Sequence, residues 1–307
     1  GSARGSVMNK ISEKKVLVIG GSGFMGSHTA DELSNKGYQV SIFDCIMSPY
    51  LRPDQVMITG DIFYKEQLER AMIGVSVVYY FAGVADIGDA KDDPKHTINM
   101  NVMGISNVLQ EAVNSKIERF VYASTMYVYS SHGSFYRASK QCAEIIIEAY
   151  SEEFSLDYTM LRYGSLYGPR AQEWNGLRKY VSQVVEEERL DYRGTGRERR
   201  EYIHVVDAAI LSVKVLDDKH KNKAITVTGH QVLDSKTLIN MIFEIANVKY
   251  NANFKDEDVD KSHYETTPYR YTPKRAMKLV PLEFVDIGQG ILDIVEEISS
   301  DKSKIVD

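Results

Sequence analysis

The run "KKVLVIGGSGFMGSH" (residues 14–28) already implies a parallel α/β protein. Val16 to Ile19 is an uninterrupted apolar stretch, the composition of a strand covered on both faces. Gly20, Gly23 and Gly26 follow and lead into "FMGSHTADELSNKG" (24–37), which has helical apolar spacing and a C-capping glycine, Gly37. The first glycine permits a tight turn and the second lets the backbone approach a pyrophosphate at the positive end of a helix. The third lets helix and strand pack closely. Phe24 and Met25 belong to the same corner, in the first helical turn. The second strand, "YQVSIFD" (38–44), ends in Asp44, 24 residues after Gly20. A carboxylate there can accept from both ribose hydroxyls and would repel a 2′-phosphate. No Arg or Lys adjoins it, so the expected cofactor is NAD rather than NADP. Asp61 and Ile62 in "GDI" (60–62) are placed against adenine, with a plain turn aspartate as the alternative.

Outward from this corner, strands and helices alternate. "VMIT" (56–59), "SVVYYFAG" (76–83), "ERFVYAST" (118–125) and "LDYTMLRYG" (156–164) read as strands. "KEQLERAM" (65–72), a long segment over about 95–115 and "YRASKQCAEIIIEAYSEEF" (136–154) read as helices. The pattern predicts an α/β fold with a doubly wound parallel (Rossmann) sheet. Past about 165 the rhythm breaks. "YGPRAQEWNG" (167–176) reads as loop and "GLRKYVSQVVEEERL" (176–190) as helix. "NKAITVTG" (222–229) reads as one more strand rejoining the main sheet, and "TLINMIFEIANV" and "IGQGILDIVEEIS" as late helices. The expected division is a NAD-binding Rossmann domain over 8–164 and a smaller α/β substrate domain over 165–307, with 200–229 returning to the first. "GSARGSV" (1–7) reads as an expression scar before a natural start at Met8.

Of 307 residues, 43% are hydrophobic and 26% charged, with a net charge of −6. An acidic chain without a basic stripe disfavours nucleic-acid and membrane partners. "GRERR" (196–200) is a local basic cluster suited to a phosphate-bearing small molecule. The two cysteines, Cys45 and Cys142, form no CxxC pair, so neither a structural metal nor a disulfide framework is expected. No apolar run approaches the ~20 residues that span a bilayer, and a cytoplasmic protein is expected.

"GSFYRASKQCAE" (133–144) places Tyr136 and Lys140 four apart, on one helix face. A tyrosine ionises near pH 10, too high for a base at neutral pH. A neighbouring ammonium and the positive nicotinamide favour the phenolate, which can then take a hydroxyl proton as hydride leaves. Thr125, ending the fifth strand, is placed to hold the substrate oxygen. The alternative for the pair is an ordinary helix-surface contact.

Together, "GGSGFMGSH", "NVMGISNVLQEA", "RFVYAST", "YRASK", "LRYGSLYGPR" and "RREYIHVVDAA" resemble the extended short-chain dehydrogenases/reductases that act on nucleotide sugars, such as UDP-galactose 4-epimerase and its relatives. The resemblance implies Tyr136 as base, Lys140 as the residue that binds nicotinamide ribose and tunes Tyr136, and Thr125 as the substrate-hydroxyl partner. It places Ala82, Gly83, Asn101 and Tyr163 at the cofactor, and Arg200 at the substrate diphosphate. Ser165 stands where the family has an asparagine at that diphosphate. The resemblance also implies a homodimer built from the helices near 95–115 and 135–153.

Departures from the family pattern bear on the reaction. Met126 and Tyr127 follow Thr125 where dehydratases and decarboxylases carry acidic residues, so C4 redox chemistry alone is expected. Tyr136 follows Thr125 by only eleven positions, which suggests a differently shaped mouth for a bulkier sugar. His132 lies in that approach and reads as a turn residue; His204 reads as structural. The readings are NAD-dependent oxidation at C4 of a nucleotide-diphosphate sugar, with a GDP-linked heptose as one substrate, or 4-epimerisation. A reading from another class is a non-catalytic NAD-binding sensor or scaffold.

Overall fold

The computed structural model describes residues 14–83, 87–129, 133–255 and 276–306. The expected scar, Met8 and His132 lie outside them. In chain order the elements begin β1 (Lys15–Ile19), α1 (Phe24–Asn35), β2 (Gln39–Asp44), β3 (Gln55–Thr59), α2 (Lys65–Ala71) and β4 (Val75–Tyr80). Then come α3 (Ile87–Asp92), α4 (Pro94–Ile98), α5 (Gly104–Asn114), β5 (Arg119–Thr125), α6 (Ser134–Phe154) and β6 (Tyr158–Tyr163). The rest are β7 (Ser165–Tyr167), α7 (Gly176–Glu187), β8 (Leu190–Arg193), β9 (Arg199–His204), α8 (Val205–Lys214) and β10 (Lys223–Val227), followed by β11 (Val232–Asp234), α9 (Ser235–Ala246), β12 (Ala252–Lys255), β13 (Met277–Leu279) and α10 (Ile287–Val306).

Two compact units emerge. One contains Gly1–Tyr163, Ala209–Thr226 and Thr272–Leu279; the other contains Gly164–Ala208, Val227–Tyr271 and Val280–Asp307. The first holds a sheet of order β13-β10-β6-β5-β4-β1-β2-β3. β1 pairs in parallel with both β2 and β4, so the strand order reverses beside it. That reversal opens the crevice at the carboxyl ends of the strands where α/β sheets bind ligands. Val16, Leu17 and Val18 are fully buried, which explains why β1 is apolar throughout rather than alternating. Leu17, Ile19, Tyr80, Val108, Phe120 and Ile147 belong to one core cluster. The second unit has a three-stranded sheet β11-β9-β7 and a two-stranded sheet β12-β8. Its own core includes Tyr167, Val181, Ile239 and Ile291.

Two details differ from the sequence expectation. The helix expected over about 95–115 is α4, a π turn (Asn99–Met103) and then α5. A π turn inserts a residue without disturbing the apolar rhythm enough to be read, yet it rotates the helix beyond it. The second difference concerns the return to the first unit. It runs from Ala209 to Thr226, with a further piece at Thr272–Leu279. Residues 199–204 instead form β9, paired with β7 and β11.

Candidate active site

At the glycine corner each glycine meets a different constraint. Gly20 has φ +79°, and a Cβ there would lie 2.6 Å from the Ala82 nitrogen. A Cβ on Gly26 would lie 2.3 Å from the Gly20 oxygen. Both are therefore needed for the chain to close the turn. Gly23 differs, because its Cβ would meet only the Gly20 oxygen at 3.5 Å, an ordinary contact. The protein's own packing does not demand a glycine there, whereas the approach of a bulky anion would. Gly23 caps α1 without any side-chain hydrogen bond, which leaves the positive helix end suited to an anion. Phe24 and Met25 turn their side chains into the core, at 7% and 8% exposure, and offer the corner only their main chain. Asp44 accepts from the Ser22 amide (3.1 Å) and the Ile46 amide (3.2 Å), which pins its carboxylate beside the glycine loop.

Around Tyr136, α6 begins at Ser134, so Tyr136 sits in its first turn, where the helix dipole favours an anion. Lys140 stands one turn on and is buried. Its Nζ donates to the Ala123 carbonyl at 3.0 Å, and lies 5.0 Å from the Tyr122 ring centre and 5.8 Å from that of Tyr136. Burial pulls the Lys140 ammonium down to about 8, while the charge of Glu144 works the other way. Ala123 is two residues before Thr125, itself buried at the end of β5. The π turn aims Asn101 inward at 3% exposure. Its Nδ2 donates to Ser139 Oγ (3.0 Å), and Ser139 Oγ donates to the Tyr136 carbonyl (2.8 Å). A Cβ on Gly83, which has φ +118°, would lie 2.4 Å from Asn101 Oδ1. Gly83, Asn101, Ser139, Tyr136 and Lys140 thus form one connected cluster at the strand ends of the first unit. Such a cluster can deprotonate a hydroxyl and steady the charge that results.

A family model described as the NAD dependent epimerase/dehydratase family matches residues 16–228. The chain belongs to this family. It is 26% identical to a putative UDP-glucose 4-epimerase of Methanocaldococcus jannaschii, over 91% of this chain and 97% of that one. It is 30% identical to a UDP-glucose 4-epimerase of Haemophilus influenzae, over 68% of this chain and 75% of that one. The fold is shared with a UDP-glucose 4-epimerase of Thermotoga maritima solved with UDP-glucose, at a TM-score of 0.79 and 21% identity, covering 94% and 99% of the two chains. This family member is therefore an NAD-dependent enzyme. The glycine corner suits the cofactor: an open Gly23, a helix start free of side-chain caps and a fixed Asp44 carboxylate.

Other candidates fall less directly on the site. Asp61 Oδ1 accepts from the Phe63 amide (2.9 Å), the geometry of a turn aspartate. Ile62 is 6% exposed, and its Cδ1 packs where a Gly104 Cβ would stand (2.7 Å), so its side chain is core. The Tyr163 ring is likewise buried, its hydroxyl 2.6 Å from Ser212 Oγ. That side chain serves the packing of β6 on α8, and only its main chain is left for a cofactor. Ser165 and Arg200 lie in the second unit. Ser165 pairs with Tyr202, two residues from Arg200, so both present side chains on the same face of that sheet. Glu198 accepts from the Thr195 and Gly196 amides and the Tyr192 hydroxyl, which anchors the loop before the arginines. His204 is buried and its Nδ1 accepts from the Val206 amide, a structural role. Ser139 is a site residue that the sequence reading misses; its three-residue spacing from Tyr136 is the available signal.

Proposed function

We propose that the chain uses NAD to oxidise C4 of a nucleotide-diphosphate sugar. The observation that carries this reading is the buried Lys140 held between the Ala123 carbonyl and the Tyr136 ring, on the helix that also bears Ser139. In it, Tyr136 removes the C4 hydroxyl proton, Thr125 holds that oxygen, and Lys140 binds the nicotinamide ribose while its charge favours the phenolate. NAD, when bound, supplies the hydride acceptor. Ser165 and Arg200 take the substrate diphosphate; the planar guanidinium suits that anion.

Return of hydrogen to the opposite face makes the enzyme a 4-epimerase, the reading that the names of its relatives support. Release of the 4-keto sugar makes it a dehydrogenase. That second reading, with a bulkier sugar such as a GDP-linked heptose, draws on the eleven-residue approach from Thr125 to Tyr136. Met126 and Tyr127 offer no acid for dehydration. The enzyme works in the cytoplasm as a homodimer in this proposal. Among the described residues no helix is long and apolar enough to cross a membrane.

The test is mass spectrometry of UDP- and GDP-linked sugars incubated with protein and NAD. Loss of two hydrogens identifies a dehydrogenase and its substrate. Unchanged mass with a new chromatographic peak identifies an epimerase. A dehydrated product would overturn the argument from Met126 and Tyr127.

A further inference from the structure

One turn beyond Lys140 on α6, Glu144 has no exposed surface, and neither has Arg162 on β6. The carboxylate is shared among three elements. Its Oε2 accepts from Ser124 Oγ (2.6 Å) and from Arg162 Nε (3.1 Å), and its Oε1 accepts from Arg162 Nη2 (2.5 Å). Arg162 Nη1 in turn donates to the Tyr129 hydroxyl. Tyr129 closes the single helical turn, Met126–Tyr129, that carries the chain away from Thr125. Ser124 immediately precedes Thr125. The pair therefore joins the helix of Tyr136 and Lys140 to the strand end of Thr125 and to the turn behind it.

A fully buried ion pair is a weak source of stability, because desolvation offsets most of its attraction. Its position supplies a better reason for it. We propose that Glu144, clamped by Arg162, is a positioning residue that supplies a negative charge one helical turn from the buried Lys140 ammonium and holds the Thr125 end of β5 against the helix of Tyr136. This rests on the proposed role of Tyr136 and Lys140. The groups around Lys140 are Tyr136 and Glu144 on its own helix, Tyr122 on β5, and, through Glu144, Arg162 on β6 and Tyr129 of the turn. Glu144 is the one carboxylate among them. Its charge opposes the effect of burial on the lysine.

Removing Glu144 alone leaves Arg162 buried without its partner and risks the fold. The informative variant is Glu144→Leu/Arg162→Met, which removes both charges at similar volume, with Glu144→Asp as the conservative comparison. Two readouts are needed. The first is the phenolate absorbance of Tyr136 against pH in NAD-bound protein, taken as the difference from the same protein carrying Tyr136→Phe. The second is the pH profile of kcat on whichever nucleotide sugar the wild type converts. In the double variant the Tyr136 ionisation should move up by about one pH unit, since the lysine keeps its proton less well. The alkaline limb of kcat should move down, with KM and NAD affinity within about threefold of wild type, and Glu144→Asp should recover part of both shifts. A double variant that melts like wild type and titrates like wild type overturns the proposal. So does a uniform loss of kcat at every pH accompanied by a lower Tm, which marks a purely structural pair. If the wild type converts no nucleotide sugar yet the Tyr136 titration shifts as expected, the positioning role stands and the assigned reaction falls.

Discussion

Lys140 is charged where charge is costly. Folding brings its ammonium from 10.5 down to about 8, chiefly by burial. Between those values the unfolded chain holds more protons than the folded one, so this group makes stability rise with pH there. Lys140→Met in the NAD-free protein removes that rise. The variant should be more stable than wild type below pH 8, by at most roughly 3 kcal/mol, and should lose the advantage as pH approaches 10.5. Chemical denaturation across that range checks it, and an advantage independent of pH would mean that Lys140 carries no buried charge. The variant can fold because the Glu144 carboxylate remains paired with Arg162. Tyr136→Phe tests the other half of the pair. Turnover should fall by between about a hundredfold and ten-thousandfold, while NAD affinity measured by calorimetry stays unchanged. Retained turnover would remove Tyr136 from the chemistry. Legibility at this scale is uneven. Gly20 and Gly26 are legible because backbone geometry demands glycine at a set spacing. Tyr163 and Ile62 read as cofactor contacts in the sequence, yet their side chains are committed to packing that no local pattern reveals.

At the scale of the element, α6 carries the proposed base, and its termination is strained. Ser155 caps it with φ +58°, a left-handed conformation that costs a residue with a Cβ. Ser155→Gly should stabilise the protein by roughly 0.5–1 kcal/mol, seen as a higher melting temperature with unchanged turnover. No gain would show that the extra freedom of glycine in the unfolded chain offsets the relief. The long helices and the central strands are legible because each has a strong apolar period over its own length. β7, β8, β11, β12 and β13 are not, since three or four residues give no period to read and their pairing is set by distant partners. The π turn escapes for another reason. Asn99–Met103 looks like ordinary helix in sequence, and only packing against Ser139 and Gly83 shows why Asn101 must turn inward.

For the whole molecule, the homodimer is a proposal that draws on exposed apolar residues of the first unit. Ile98 and Met103 are 45% and 53% exposed at the π turn, and Ile145 is 45% exposed on α6. The Tyr150 hydroxyl donates to Gln110 Oε1, so the two helices are already tied side by side. Apolar side chains left in water on adjacent helices are the material of a helix-on-helix interface. Light scattering after size exclusion should give a dimer for the wild type and a monomer for Ile145→Lys, with the melting curve showing a folded chain. A monomeric wild type would overturn the proposal.

The residues by themselves determined the α/β class, the glycine turn, the shared helix face of Tyr136 and Lys140 and the family, because each depends on interactions spanning a few residues or on motifs in fixed order. Tertiary structure alone decided which candidates keep a free side chain and how the late segments divide between the two units. It also decided that a buried Glu144–Arg162 pair lies behind the proposed catalytic lysine. Those outcomes depend on burial, and burial is set by segments tens of residues apart: Glu144 and Arg162 carry no shared motif, and only the packing of α6 on β6 makes each the other's necessary counter-charge.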